Sequence, residues 1–383
     1  MSDSTYSDNG FNTRAIHAGQ EPDEQTGAVT VPVHLATTYA QQGVNQHKGF
    51  EYSRTGNPTR KALETSIAAL EGATHGFAFG SGMGAEDAIL RSLRPGDNVL
   101  LGNDAYGGTF RLLDKIYGRM GVTWTAVDLT KPDLVASSWA DNTKLVWMET
   151  PTNPNLTVFD IEAISAAAHI HGGICVVDNT FATPYLQQPI ALGADVVIHS
   201  ATKYLGGHSD VVGGLVATNN DEIAEDLAFV QNGSGAIISP FDCYFLLRGV
   251  KTLGVRMDRH CDNAQAMVAM LSEHPAVERV LYPGLEGHLG HETAVRQMRN
   301  FGGMVSFIPR GGVEAAHRIV TSTKLFTLAE SLGAVESLIE IPAGMTHGST
   351  AGSPLEVDPS LVRLSVGIED VDDLIADLES ALG

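Results

Sequence analysis

Six short apolar segments, at 76–79, 98–101, 122–127, 144–148, 174–177 and 196–198, recur along the chain, and several are separated by helical stretches such as 109–119 and 161–171. A strand buried on both faces reads as an unbroken apolar run, and strands that alternate with helices pack as a mostly parallel sheet with helices on both faces. The alternation therefore predicts an α/β fold. Residues 1–57 precede it with little periodicity and many turn formers, including Pro22, Gly27, Pro32, Gly43, Gly49 and the Gly56-Asn57-Pro58 cluster. They read as an extended arm laid on a partner subunit. A helical face of Leu63, Ile67 and Leu70 opens the large domain, expected over 58–252. From 253 to 383 strand-like pieces at 277–282, 303–308 and 361–366 mix with helices, which predicts a smaller α+β domain. Its last helix places Val371, Leu374, Ile375, Leu378 and Leu382 on one stripe, behind an acidic start at Glu369 and Asp370 that suits the helix dipole.

Bulk properties narrow the function. With 383 residues and 43% hydrophobic content, the chain can build two cores. Its longest apolar runs, such as 173–177 and 194–198, fall far short of the ~20 residues of a membrane span. The opening MSDSTYSDNG lacks the basic start and apolar stretch of a secretion signal, so a cytoplasmic protein is expected. Cys175, Cys243 and Cys261 are odd in number and form no CxxC pair, which argues against a disulfide framework or a metal site. Acidic side chains number 45 against 24 basic ones, for a formal charge of −21. Nucleic acid is thereby excluded as a partner. An anionic ligand would need a few arginines to reverse the potential locally.

Ligands of open α/β sheets sit beyond the carboxyl ends of the strands, so the residues after each strand carry the chemistry. Four groups stand out. Gly80-Ser-Gly-Met-Gly-Ala85 is a glycine-rich turn entering a helix, whose N–H groups and dipole favour a phosphate. It also satisfies the dinucleotide pattern G-x-G-x-x-A with Asp104 downstream, but some 75 residues precede it, whereas dinucleotide folds place this turn in their first βα unit. Asp178 closes an apolar strand; a carboxylate there caps a loop or keeps a pyridine nitrogen protonated. Lys203, in Ser200-Ala-Thr-Lys203, follows another buried strand, lies among small hydroxyl residues and precedes Gly206-Gly207, the setting of an amine held in a cleft. To attack a carbonyl that amine must lose its proton, through desolvation and nearby cations. Ser200 and Thr202 can then bond a neighbouring phosphate. Tyr106, in Asp104-Ala-Tyr-Gly-Gly-Thr109, offers a face for stacking and a phenol for proton transfer.

With these groups in place, the sequence resembles the pyridoxal-phosphate (PLP) enzymes of cysteine and methionine metabolism, the γ-elimination and γ-replacement group of fold type I, over essentially the whole chain. The strings that carry the resemblance are Glu51-Tyr-Ser-Arg-Thr-Gly-Asn-Pro58, Ser81-Gly-Met83, Asp104-Ala-Tyr-Gly-Gly-Thr109, Glu149-Thr-Pro-Thr-Asn-Pro154, Val177-Asp-Asn-Thr180, His199-Ser-Ala-Thr-Lys203 with Tyr204-Leu-Gly-Gly-His-Ser-Asp210, and Leu361-Val-Arg-Leu-Ser365. It implies that Lys203 anchors PLP covalently and shuttles protons, that Tyr106 stacks on the ring, and that Asp178, with Thr180 beside it, binds the ring nitrogen. Gly82, Met83, Ser200 and Thr202 would hold the phosphate, and Tyr52 and Arg54 would reach the phosphate of a neighbouring subunit. A homo-oligomer follows, at least a dimer and by expectation a tetramer. Arg363, helped by Asn153 and Ser331, would grip the carboxylate of a small amino-acid substrate, with Arg111 and Glu51 toward its far end.

Glu330 resembles the γ-acting members of the family, where β-lyases carry a bulky aromatic, and Gly108 stands where methionine γ-lyases often carry a cysteine. Thr55 replaces the arginine, and Glu51 the aspartate, of some cystathionine γ-synthases. The resemblance thus implies γ-replacement, in which cysteine displaces the acyl group of O-acetyl- or O-succinylhomoserine, with cystathionine γ-lyase chemistry as the close alternative. Readings from other classes are a nicotinamide dehydrogenase, which would leave Lys203, Tyr106 and Asp178 without a role, and a silent binding or regulatory relative, which would have no need of the lysine.

Overall fold

The computed structural model describes residue 6 and residues 8–383, so most of the stretch read for a secretion signal, residues 1–5 and 7, lies outside it. The chain divides into two compact units, Met1–Ser92 with Asp195–Gly254 and Leu93–Ala194 with Val255–Gly383. Twelve strands occur among the described residues: β1 (His75–Phe79), β2 (Asn98–Gly102), β3 (Thr123–Val127), β4 (Thr143–Glu149), β5 (Ile174–Asp178), β6 (Val196–Ser200), β7 (Gly214–Thr218), β8 (Val277–Leu281), β9 (Met304–Pro309), β10 (Thr327–Leu328), β11 (Leu338–Glu340) and β12 (Val362–Ser365).

In the first unit β7 lies between β1 and β6 and runs antiparallel to both. It was not expected, because its five residues follow Gly206, Gly207 and Gly213, whose spacing reads as a turn. The helix Pro58–Glu71 starts where the Asn57 side chain accepts from the N–H groups of Thr59 and Arg60. Its stripe of Leu63, Ile67 and Leu70 is fully buried. The arm is not wholly extended: Phe11–His17 is a helix with Phe11 and Ala15 buried, and Arg14 Nη1 donates to the Ala69 carbonyl at 2.6 Å. Seven residues hold less than two turns, too few to show a period.

In the second unit β3, β2, β4 and β5 are parallel, in that order, and β2 and β5 are buried almost throughout. The expected helix at 109–119 is broken into an α-turn at Gly107–Arg111, a wider π-turn at Leu112–Ile116 and a 3₁₀ turn at Tyr117–Met120, ending on left-handed Gly121. The wide turn buries Leu112 and Leu113 and sets Asp114 to accept from the Trp124 indole at 3.2 Å. A second sheet, ordered β10-β11-β12-β9-β8, is antiparallel except for β10 with β11. It packs Val305, Phe307, Val362 and Leu364 with Leu374, Leu378 and Leu382 of the helix Val371–Leu382. The short β10 and β11 escaped the sequence reading for want of length.

Candidate active site

The first unit carries Lys203 and the glycine-rich turn. β1 passes through Gly80 into the helix Gly82–Leu90, whose N-cap Ser81 accepts from the Gly84 N–H at 3.0 Å. The N–H groups of Gly82 and Met83 fall in the first turn, where a helix has no carbonyl to offer them. Gly82 is needed for its lack of a side chain, since a Cβ there would stand 3.0 Å from Ser200 Cβ and 3.1 Å from its Oγ. A second close approach follows from β7: a Cβ on Gly214 would lie 2.1 Å from the Ser81 carbonyl oxygen. Gly214→Ala is therefore expected to push β7 off the cap and to cost about 1–3 kcal/mol in urea unfolding, the usual toll of overpacking. Unchanged unfolding would mean that the two backbones separate freely.

After β6 the chain turns tightly. The Lys203 N–H donates to the Ser200 carbonyl at 3.2 Å and the Gly207 N–H to the Lys203 carbonyl at 2.8 Å. Thr202 Oγ1 accepts from the Gly213 N–H at 3.1 Å, which ties this turn to the approach of β7. Ser200, Thr202 and Lys203 are half-buried. Beneath them His199 Nε2 and Glu71 Oε1 lie 2.5 Å apart with both side chains sealed from water. Two N–H groups, two hydroxyls, a space that one methyl group would fill and a primary amine one turn away suit an aldehyde-bearing phosphate ester, so PLP fits these residues. On the same unit Tyr52 and Arg54 are exposed, with the Arg54 guanidinium 5.4 Å from the centre of the Tyr52 ring. Glu51 is exposed as well.

The second unit carries the aromatic, the acid and the guanidinium. The Tyr106 N–H donates to Glu149 Oε2 at 2.8 Å, and its ring meets the His347 ring edge-on at 5.9 Å. Ser349 Oγ donates to the Gly107 carbonyl at 2.9 Å. Asp104 accepts from the Thr152 hydroxyl and, at 2.8 Å, from the Asn155 amide; burial pushes its carboxyl above the usual range. Asp178 ends β5, and its Oδ1 accepts from the Thr180 N–H at 2.9 Å and the Thr180 hydroxyl at 2.5 Å.

Arg363 leaves β12 with 2% of its side chain exposed and is gripped on several sides. Nη1 donates to Asn153 Oδ1 and Nη2 to the Ser331 carbonyl, each at 2.8 Å. Nη2 also lies 3.0 Å from Glu340 Oε1. Ser331 holds a left-handed φ of 87°, which costs a non-glycine residue energy and turns its carbonyl onto the guanidinium. His347 Nε2 lies 3.0 Å from the Asn153 carbonyl; burial and, after it, the Arg363 charge hold its imidazole down to about 4, so it is neutral near pH 7. Asn153, Ser331 and Arg363 are thus brought together, whereas Glu330 and Arg111 stand exposed. Glu340 and His347 were not singled out from sequence, and Glu149 entered only within a string that carried the resemblance, with no role of its own. Glu340 pairs with Arg363 in register across β11 and β12, and no local pattern announces a cross-strand pair.

The model of the Cys/Met metabolism PLP-dependent enzymes matches residues 12–383. The chain belongs to that family, and it is a PLP-dependent enzyme. It is 58% identical over 373 residues to the cystathionine γ-synthase of Mycobacterium bovis, covering 97% of this chain and 96% of the relative. It is 51% identical to the cystathionine β-lyase of Lactococcus lactis, covering 97% and 98%. The solved structure of metB from Corynebacterium glutamicum superposes with a TM-score of 0.97 at 57% identity, covering 98% of each chain. The fold is accordingly the mixed α/β architecture of fold type I. Among the described residues no helix is long and apolar enough to cross a membrane.

Proposed function

We propose that this chain is a cystathionine γ-synthase, which joins cysteine to an O-acylhomoserine and releases the acyl group as a carboxylate. The observation that carries the reading is the 58% identity over nearly all of both chains to a protein of that name. When bound, PLP supplies an electron-poor ring that stabilises negative charge on the carbon beside the substrate amine. Lys203 Nζ would hold it covalently and then carry protons from and to the substrate carbons. Gly82, Met83, Ser200 and Thr202 would bind the phosphate, Tyr106 would stack on the ring, and Asp178, fixed by Thr180, would keep the ring nitrogen protonated. Arg363, braced by Asn153 and Ser331, would take the α-carboxylate, for which a planar donor pair is well shaped. Glu330, Arg111 and Glu51 would line the distal side. Loss of the α-proton and then of a β-proton lets the γ-oxygen leave with its acyl group, and the cysteine sulfur bonds to the γ-carbon.

The exposed Tyr52 and Arg54 would serve a neighbouring subunit, which makes the working unit at least a dimer and, in our reading, a tetramer in the cytoplasm. Residues 1–57 would form the arm, 58–252 the PLP-binding domain and 253–383 the C-terminal domain. Cystathionine γ-lyase is the second reading, favoured by Thr55 and Glu51, which depart from the arginine and aspartate of some synthases.

Steady-state rates with O-acetylhomoserine, O-succinylhomoserine and cystathionine, measured side by side, test the assignment; cystathionine cleavage that outruns both replacements would overturn it. A succinyl ester carries one more carboxylate than an acetyl ester, and an uncompensated charge is costly. At position 55 the only polar side-chain group is a neutral hydroxyl, which donates to Asn232 Oδ1 at 3.3 Å. The acetyl ester is therefore expected to be used at least as well as the succinyl ester. Thr55→Arg should shift the ratio of kcat/KM toward succinyl by roughly tenfold, the effect of about 1.4 kcal/mol. A native succinyl preference that Thr55→Arg leaves unmoved would show that another cation reads the acyl chain.

A further inference from the structure

Arg363 cannot be only a waiting cation, because its charge is already engaged. Its guanidinium and the Glu340 carboxylate form an ion pair at 3.0 Å whose side chains are 2% and 1% exposed. The two residues face each other in register on antiparallel strands, so the pairing is built into the sheet. The same Oε1 that meets Arg363 also accepts from the Thr346 hydroxyl at 2.9 Å, which steadies the carboxylate from the other side. Asn153 Oδ1 and the Ser331 carbonyl fix the plane of the guanidinium, but both are neutral. Glu340 differs from them in supplying negative charge where water cannot screen it.

Two carboxylates that share one buried guanidinium divide its attraction. We propose that Glu340 is a positioning residue that tunes the grip on the substrate α-carboxylate: it holds Arg363 in place in the free protein and competes with the incoming carboxylate for its charge. The proposal rests on the reading of Arg363 as the carboxylate clamp. Its consequence is a weaker hold on every ligand that bears an α-carboxylate, product included, than Arg363 would exert unopposed.

Glutamine at position 340 keeps the acceptor oxygen and the shape while removing the charge. The two views of Glu340 therefore give opposite signs. As a competitor, its neutralisation frees Arg363 and carboxylate ligands bind more tightly; as a mere brace, its loss loosens the clamp and they bind more weakly. The probes are L-alanine and its decarboxylated counterpart ethylamine, titrated by calorimetry into the holoenzyme. Neither has a γ-leaving group, so the result does not depend on which γ-reaction the enzyme performs.

Glu340→Gln is expected to lower the Kd of L-alanine by about tenfold and to leave that of ethylamine where it was. Glu340→Asp, which draws the charge back by one methylene group, should move it in the same direction by a smaller factor and serves if the glutamine variant does not fold. An unchanged or raised Kd for L-alanine, with the preference over ethylamine intact, overturns the role of Glu340 alone. Equal binding of both probes by the unaltered enzyme overturns the Arg363 assignment, and this proposal with it.

Discussion

Lys203→Ala is expected to lower γ-replacement by roughly 10⁴-fold or more, the scale of loss that follows deletion of a covalent catalytic group. In the proposed mechanism the side chain serves twice, as the anchor of the cofactor and as the carrier of protons between substrate carbons, so no neighbouring group replaces it. The fold should survive. The turn that presents Lys203 is closed by its own backbone, through the bonds to Ser200 and Gly207, and neither uses the amine. The measurement pairs turnover with urea unfolding and with the visible absorption that a lysine-bound PLP gives. Lys203→Arg should fail alike, because a guanidinium does not yield a neutral nucleophile at working pH. Substantial γ-replacement by the purified alanine variant would show that Lys203 is not the anchor.

The parts of this site that could be read in the sequence are those whose chemistry is written in a few consecutive residues. Lys203 announced itself by following an apolar strand and preceding paired glycines, and Gly82 by entering a helix from a strand. The apolar runs of β2, β4, β5 and β6 were visible for the same reason, since burial on both faces leaves an unbroken run. What escaped depends on distant partners. Glu340 reads locally as the polar end of Leu338-Ile-Glu340, and only the register of β11 on β12 turns it into the ion-pair partner of Arg363. Glu149 closes an apolar strand just as Asp178 does, yet its carboxylate is spent on the N–H of Tyr106, 43 residues away. His347 sits between the Tyr106 ring and the Asn153 carbonyl, neither of which is near it in sequence. Cross-strand register and loop-to-loop contact are set by packing, and a single sequence carries no local record of them.

The exposure of Arg54 gives the sharpest test of how subunits share the chemistry. Its Nε donates to Asn232 Oδ1 at 3.2 Å and its guanidinium lies over the Tyr52 ring, both on its own unit and both at the surface. A surface arginine held by such contacts is worth little to its own fold. In our reading it earns its place by neutralising a phosphate on the neighbouring subunit, against a chain whose formal charge is −21. Arg54→Ala should therefore weaken cofactor retention, read by dialysis and absorption, with little change in unfolding. Arg363→Ala should instead raise KM and cut kcat/KM by about two to three orders of magnitude, because it deletes a buried, hydrogen-bonded cation from the proposed carboxylate clamp. Each variant alone is then impaired at every site. In a hybrid dimer, however, the site of the Arg54→Ala subunit keeps its own Arg363 and receives an intact Arg54 from the partner, while the other site lacks both. Random mixing makes half of the dimers hybrid, with one intact site in two, so about a quarter of the wild-type rate should return. Hybrids separated by affinity tags should each recover about half. If verified hybrids recover nothing, Arg54 does not act across an interface, and the cation that holds the phosphate must be sought within the same chain.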